Sequence, residues 1–376
     1  MRQCAVGRQT RADWTGAGFG ARLNGFRENA HLKRLLITLL KVGISAAIIG
    51  YLVYDATRTK SEDGGNVFTN LMNQPKRWDL LVAAWVCSTV AVLLTFVRWW
   101  YLVRALDIPF RFADSIRISF WGYLFNLAPL GIVGGDLVKT VMLDREYPQN
   151  RAKALATVLV DRVIGLYILF VVASAAILAT QFWSSTVRDI YTICMATFAI
   201  TAASTVGLAI VLGPEVLVSR MIKTVGRIPR VGGPLESLIR AVRMYNRKPR
   251  VLILSAIMTV GVHGLFAIGC YLIACGLFDY HLSNLSLSRH FVVMPLSAAM
   301  QVIPVPIGPT EFAMNYLYPC VRIAGPVVTK GQGLLVALVY RLFSVLIAAL
   351  GVFYYFGNRR EMAEVMHEAE EEEKTL

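Results

Sequence analysis

The chain has 376 residues, of which 56% are hydrophobic and only 16% are charged, and its formal net charge is +14. Soluble globular domains have about 25% charged residues, so this composition excludes that class. Several stretches of roughly 20 apolar residues, the length of a membrane-crossing helix, predict an all-α polytopic membrane protein. The basic residues lie in loops beside these stretches, which indicates membrane topology and predicts no nucleic-acid partner.

Six apolar stretches predict six full transmembrane helices. They cover approximately residues 35–54, 80–103, 154–180, 190–212, 251–277 and 333–356. The polar residues 1–30 predict a disordered cytoplasmic tail, and the acidic residues 359–376 predict a second one. Residues 31–358 would then form a single transmembrane domain.

The connection over residues 214–250 contains nine Lys or Arg residues against Glu215 and Glu236. Because positively charged loops stay in the cytoplasm, this loop predicts a protein of the inner cell membrane with both termini inside. Its apolar residues recur at helical spacing and predict amphipathic helices on the membrane surface. They are Leu217, Met221, Ile222, Leu235, Leu238, Ile239 and Val242.

Two further apolar stretches, residues 115–135 and 294–311, are interrupted by residues that break helices. Irregular backbone at membrane depth is tolerated only where protein or water satisfies its polar groups. Broken helices of this kind indicate the substrate site of a transporter. We therefore predict two re-entrant or broken helices that line a polar site. The interrupting residues are Asn126, Pro129, Gly131, Gly134 and Gly135 in the first stretch, and Pro304, Pro306 and Gly308 in the second.

The two broken stretches are similar to each other. In each, a proline precedes an acid by seven residues, and the acids are Asp136 and Glu311. Each acid is followed by a long apolar helix with an arginine, Arg162 or Arg341. The loop charges place these two helices in opposite directions, which predicts an inverted repeat.

Arg162 and Arg341 are the predicted substrate contacts. An arginine at mid-depth costs at least about 2.5 kcal/mol to insert, so it faces a cavity or a partner. A guanidinium binds phosphate through paired hydrogen bonds. Two interpretations stay open: contact with a headgroup phosphate, or structural ion pairs of Arg162 with Asp136 or Asp161 and of Arg341 with Glu311.

The other candidates also have structural alternatives. Asp136 suits a helix N-cap as well as a role in gating or cation contact. Lys139 suits a solvated cation as well as a headgroup ligand. His263 is interpreted as a hydrogen-bonded packing residue, and Arg98 as a snorkelling side chain at the inner interface. The predicted substrate-binding set is Arg162, Arg341, Asp136, Lys139, Asp161, Glu311 and Asn126, and the predicted backbone hinges are Pro129, Gly131, Gly134, Gly135, Pro304, Pro306 and Gly308.

No cofactor or metal is expected. The six cysteines show neither C-x-x-C nor Cys/His ligand spacing, so no zinc site or disulfide framework is indicated. No phosphate-cradling Gly-rich loop precedes a soluble helix, which disfavours an ATP-driven pump.

Three motifs resemble the lysylphosphatidylglycerol synthase transmembrane-region family of flippase-like integral membrane proteins. They are the run 125–139 with its Gly-Gly-Asp, the run 158–166 with its Asp-Arg at 161–162, and residues 304–311 with Tyr-Arg at 340–341. The resemblance covers about residues 30–358. It implies movement of a lipid between leaflets, which the membrane region of those synthases is associated with. The synthases also have a soluble C-terminal domain that transfers lysine from its tRNA, and we expect that activity to be absent here.

The sequence therefore predicts a transporter rather than an enzyme. It would bind a phospholipid or lipid-linked headgroup in a polar cavity and translocate it between leaflets. One alternative is an intramembrane transferase, for which Asp136 is the candidate catalytic carboxylate. Another is a non-transporting partner of a separate lipid-modifying enzyme, which would dock on the loop 214–250.

Overall fold

The computed structural model describes residues 17–58, 66–127, 134–184, 188–229, 232–278, 285–303, 305, 307–321 and 331–357. Within these residues the fold is all-α, with thirteen α-helices. They are α1 (Ala17–Arg58), α2 (Val67–Asn73), α3 (Trp78–Ala105), α4 (Phe112–Leu127), α5 (Gly135–Glu146), α6 (Arg151–Thr180), α7 (Arg188–Leu212), α8 (Glu215–Val225), α9 (Gly232–Arg243), α10 (Pro249–Phe278), α11 (Leu287–Ala299), α12 (Pro309–Leu317) and α13 (Gln332–Gly357).

Six of the described helices are long and apolar enough to cross a membrane. At 1.5 Å per residue, about 20 residues cover the roughly 30 Å of a hydrocarbon core. The six spans predicted from the sequence are therefore confirmed. Their apolar segments are Leu39–Arg58, Trp78–Ala105, Pro148–Thr180, Arg188–Leu212, Pro249–Phe278 and Gln332–Val352.

Two pairs of short helices, α4 with α5 and α11 with α12, lie between long ones. They have 16, 12, 13 and 9 residues, so each is about 24 Å long or less and too short to cross the membrane. The helices of each pair pack against each other. That each pair enters and leaves on one side of the membrane stays a prediction. Pro129, Gly131, Pro304 and Pro306 lie outside the described residues.

The segments predicted as tails are described only in part. Helix α1 begins at Ala17, inside the predicted N-terminal tail. Residues 1–16 and 358–376 lie outside the described residues. The basic connection between α7 and α10 forms the two short helices α8 and α9, with Val216 and Leu217 exposed on α8.

Helices α3 and α10 pack against each other in opposite directions. The backbone N–H of Arg77, before α3, donates to the carbonyl of Gly276 near the end of α10 at 3.0 Å. At the other end, Lys248 Nζ, before α10, donates to the carbonyl of Ala105, the last residue of α3. Between these ends, a Cβ on Gly269 would lie 3.4 Å from a carbonyl oxygen of α3. Glycines of this kind let two membrane helices approach closely.

The helices α3–α6 and α10–α13 form two units with the same order: long, short, short, long. Between the units, α4 packs on α13 and α11 packs on α6. Each unit thus packs its first short helix on the last long helix of the other unit. Two units related by a two-fold axis would make these contacts. The antiparallel contact of α3 with α10 agrees with an axis in the membrane plane. The inverted repeat stays a prediction with which this packing is consistent.

The hairpin α4–α5 closes by direct backbone contact between Gly122 and Gly135. A Cβ on Gly135 would lie 1.6 Å from the carbonyl oxygen of Gly122, so no larger residue fits there. Asn126 Oδ1 accepts a hydrogen bond from the Gly135 N–H at 2.8 Å. This bond satisfies one of the free donors at the start of α5. The first broken stretch is therefore held together by glycine contact and one side-chain cap.

We predict that Gly135→Ala greatly reduces the yield of folded protein, because the overlap is with backbone and no side chain can move to relieve it. Gly207→Ala in α7 is the matched control, since nothing lies within 4 Å of its added Cβ. Alanine in a helix is more stable than glycine by about 0.5–1 kcal/mol, so the control should keep or raise the melting temperature. Size-exclusion profiles and melting curves in detergent measure both. Wild-type behaviour of Gly135→Ala would contradict the hairpin geometry.

Candidate functional site

A cavity of about 710 Å³, with several charged side chains in its wall, lies between the two four-helix units. Helix α1 and all eight helices of the two units contribute to its wall. The volume is within the range of about 300–1,000 Å³ typical of ligand sites. Six of the seven predicted substrate-binding residues line it, together with Gly134. These six are Asn126, Asp136, Lys139, Asp161, Arg162 and Arg341.

The first charged pair in the cavity joins α5 to α6. Arg162 Nε donates to Asp136 Oδ2. The Arg162 side chain is 54% exposed and that of Asp136 is 34% exposed, so the pair is open to the cavity. Asp136 is the second residue of α5, the N-cap is Gly134, and no side chain of the cap residue bonds the helix. The ion-pair interpretation of Asp136 is thus the one observed, and the N-cap interpretation is not.

The second charged pair joins α12 to α13. Arg341 Nε and Nη2 donate to Glu311 Oε1 at 2.9 and 2.8 Å. The other oxygen of Glu311 accepts from the backbone N–H of Gly308 at 2.7 Å. The φ of Gly308 is +121°, which glycine adopts at little cost, and it turns the chain into α12. Glu311 is 1% exposed and Arg341 is 25% exposed, so this pair is held more firmly than the first.

The two pairs occupy equivalent places in the two units. Each acid lies in the first turn of the second short helix, and each arginine lies on the long helix that follows. Among the described residues, both Nη atoms of Arg162 and Nη1 of Arg341 have no hydrogen-bond partner. The arginines therefore make the structural ion pairs and still present donors to the cavity.

A third charged pair, Arg98 with Asp161, corrects the interpretation of Arg98 as a snorkelling side chain. Arg98 is 5% exposed. Its Nε donates to Asp161 Oδ1 at 2.8 Å, its Nη1 to Thr259 Oγ1 at 2.7 Å, and its Nη2 to the carbonyl of Asp161 at 3.3 Å. The guanidinium thus links α3, α6 and α10. It turns inward because a carboxylate there offsets the desolvation of its charge.

This pairing also gives Asp161 a partner other than Arg162. Successive residues of an α-helix point about 100° apart, so Asp161 and Arg162 face different neighbours. The adjacent positions of the two residues in the sequence could therefore have predicted that they do not pair with each other. The identity of the partner, Arg98, depends on the packing of α3 on α6, which the sequence alone does not define.

Lys139 and His263 complete the polar wall. Lys139 Nζ lies 4.9 Å from the ring centroid of Trp99, a cation–π contact. His263 Nε2 lies 3.2 Å from the carbonyl oxygen of Gly165 and makes a hydrogen bond with it. In the described part of the chain, no group of three or more His, Cys, Asp or Glu side chains could hold a metal ion.

Six apolar spans, five of which line a cavity with paired charges, define a polytopic α-helical membrane protein with an internal polar site. The family model described as "Lysylphosphatidylglycerol synthase TM region" matches residues 38–351. The chain therefore belongs to that family, and the family predicted from the motifs is confirmed. A comparison with curated proteins found no match.

We predict that Arg98→Met is much more destabilising than Arg162→Met. The first change leaves Asp161, whose side chain is only 13% exposed, without its guanidinium partner, and breaking a buried pair typically costs about 3–5 kcal/mol. The second breaks a half-exposed pair, for which about 0–1 kcal/mol is typical. Melting temperatures of both variants in one detergent measure the difference. Equal destabilisation would mean that the Asp136–Arg162 pair is mainly structural.

Proposed function

We propose that the protein binds the phosphate of a membrane lipid headgroup in this cavity and moves the headgroup between leaflets. The observation that supports this proposal is the pair of acid–arginine contacts, Asp136–Arg162 and Glu311–Arg341, at equivalent places on one cavity. Membership of the lysylphosphatidylglycerol synthase transmembrane-region family is consistent with a lipid-related role.

The arginines suit a phosphate because of the donors they still present. A guanidinium can bond a phosphate through two parallel N–H donors. Arg162 keeps both Nη atoms available while its Nε holds Asp136. A phosphate could therefore approach Arg162 first and then take the place of the Asp136 carboxylate. Because one anion replaces another, the guanidinium would not be left without a counter-charge.

The fold suggests how the site could open to either side. The topology that we propose is that of an inner-membrane protein. The basic helices α8 and α9 and both termini are on the cytoplasmic side of the membrane. The hairpin α4–α5 would then enter from the cytoplasmic side and α11–α12 from the outer side. Each hairpin carries one acid of the two pairs, Asp136 or Glu311. Opening one pair at a time would expose the cavity to one leaflet at a time.

The two alternatives from the sequence have less support. The transferase needs Asp136 as a free catalytic carboxylate, and Asp136 is engaged by Arg162. The enzyme-partner alternative uses the basic connection 214–250 as a docking surface, and the contacts of the cavity give it no support. Both alternatives predict no lipid movement by the purified protein.

The test is lipid scrambling in proteoliposomes, with fluorescent phospholipids and a quencher that cannot cross the membrane. We predict that Arg162→Gln slows scrambling about tenfold or more, because a charge-assisted hydrogen bond contributes about 1.5–3 kcal/mol. Arg227→Gln, at an exposed position after α8, is the matched control and should scramble at the wild-type rate.

Absence of scrambling by the wild-type protein, with every headgroup tried, would contradict transport and agree with either alternative. Wild-type rates in Arg162→Gln would contradict the assignment of the site. The melting temperature of each variant distinguishes a loss of activity from a loss of the folded structure.

A further inference from the structure

The cavity contains more cationic than anionic side chains. Two carboxylates line it, Asp136 and Asp161, and a third, Glu311, is buried behind the lining Arg341; each of the three is bonded to one arginine. Two lysines that line the cavity, Lys41 and Lys139, remain without a carboxylate partner among the described residues. With His263 counted as neutral, the described groups leave an excess charge of +2.

One of the two excess positive charges, that of the Lys139 ammonium, has a fixed position. Lys139 lies on α5 one turn after Asp136, so the two side chains share a helix face. Its ammonium rests on the ring of Trp99, which is fully buried and donates from Nε1 to Thr157 Oγ1 at 3.3 Å. Lys139 is therefore held beside the Asp136–Arg162 pair rather than extended into solvent.

Two unbalanced charges in a partly buried site are unfavourable unless a ligand compensates them. A zwitterionic headgroup leaves the excess unchanged, and a phosphodiester with one net negative charge leaves half of it. A phosphomonoester carries about −1.5 to −2 charges at neutral pH, which nearly balances it. A diphosphate balances it as well.

We propose that the lipid bound here has a dianionic headgroup, a terminal phosphate or a diphosphate, and that Lys139 selects it. This inference rests on the proposed headgroup site but concerns binding and not movement. The terminal phosphate lies between the ammonium of Lys139 and the guanidinium of Arg162, in place of the Asp136 carboxylate. Arg162 binds any phosphate, and Lys139 favours the dianion because its attraction is larger for two negative charges than for one.

The experiment measures lipid binding to the purified full chain by competition against a fluorescent lipid at pH 8. The probes are dioleoyl phosphatidic acid, dioleoyl phosphatidylglycerol and dioleoyl phosphatidylcholine, which share their acyl chains and differ in headgroup charge. Geranylgeranyl diphosphate tests whether a lipid with a diphosphate headgroup binds, and inorganic diphosphate tests whether a lipid tail is needed. We expect phosphatidic acid to bind about tenfold more tightly than phosphatidylglycerol, as one charge-assisted hydrogen bond would provide.

The variants locate the selectivity. Lys139→Gln should weaken binding of phosphatidic acid more than binding of phosphatidylglycerol and so remove the preference between them, while Lys139→Arg should keep the preference. Lys223→Gln, exposed on α8, controls for general attraction of anionic lipid and should change neither affinity. A wild-type protein without this preference, or a Lys139→Gln variant that retains it, overturns the inference.

The outcomes separate this inference from the proposed function. Selectivity that depends on Lys139 in a protein that does not scramble lipid supports the dianionic site and contradicts transport. Scrambling that depends on Arg162, with equal binding of phosphatidic acid and phosphatidylglycerol, supports transport and overturns the role of Lys139.

Discussion

The structure depends on compensating three guanidinium groups inside an apolar helix bundle. Arg98, Arg162 and Arg341 each bond a carboxylate from another helix. An unpaired charge would cost several kcal/mol at the two pairs that contain Arg98 and Glu311, which are largely buried, so these pairs restrict how the helices can be arranged. Two of the three pairs attach a short hairpin helix to the long helix that follows, and the third ties α3 to α6. Each pair joins helices of one unit, and all three arginines line the cavity between the two units.

The pairs differ in how firmly they are held, and this difference bears on the proposed function. Glu311 is buried, bonds Arg341 through two nitrogens and also caps its own helix through Gly308. The Asp136–Arg162 pair uses one nitrogen and is half-exposed. The first unit therefore has the acid that an incoming anion displaces at lower cost. In this account α4–α5 opens more readily than α11–α12.

Much of this arrangement could be predicted from the sequence. Length and hydropathy define the six spans, and the glycine and proline positions define where two stretches break. The equal position of an acid and a later arginine in both halves indicated the pair Glu311–Arg341 and left Asp136 and Asp161 as alternative partners of Arg162. The contact of Arg98 with Asp161 and the contact of Gly122 with Gly135 could not be predicted. Both join helices whose packing depends on the whole fold and leaves no local pattern.

The central claim is that a lipid phosphate occupies the cavity at Arg162. The most direct measurement is an experimental structure of the full chain in nanodiscs made with the lipids of its own membrane. The account predicts headgroup density inside the cavity, with a phosphate within hydrogen-bond distance of the Arg162 Nη atoms. A cavity that is closed, or that contains acyl chains alone with every phosphate in the planes of the two leaflets, would contradict it.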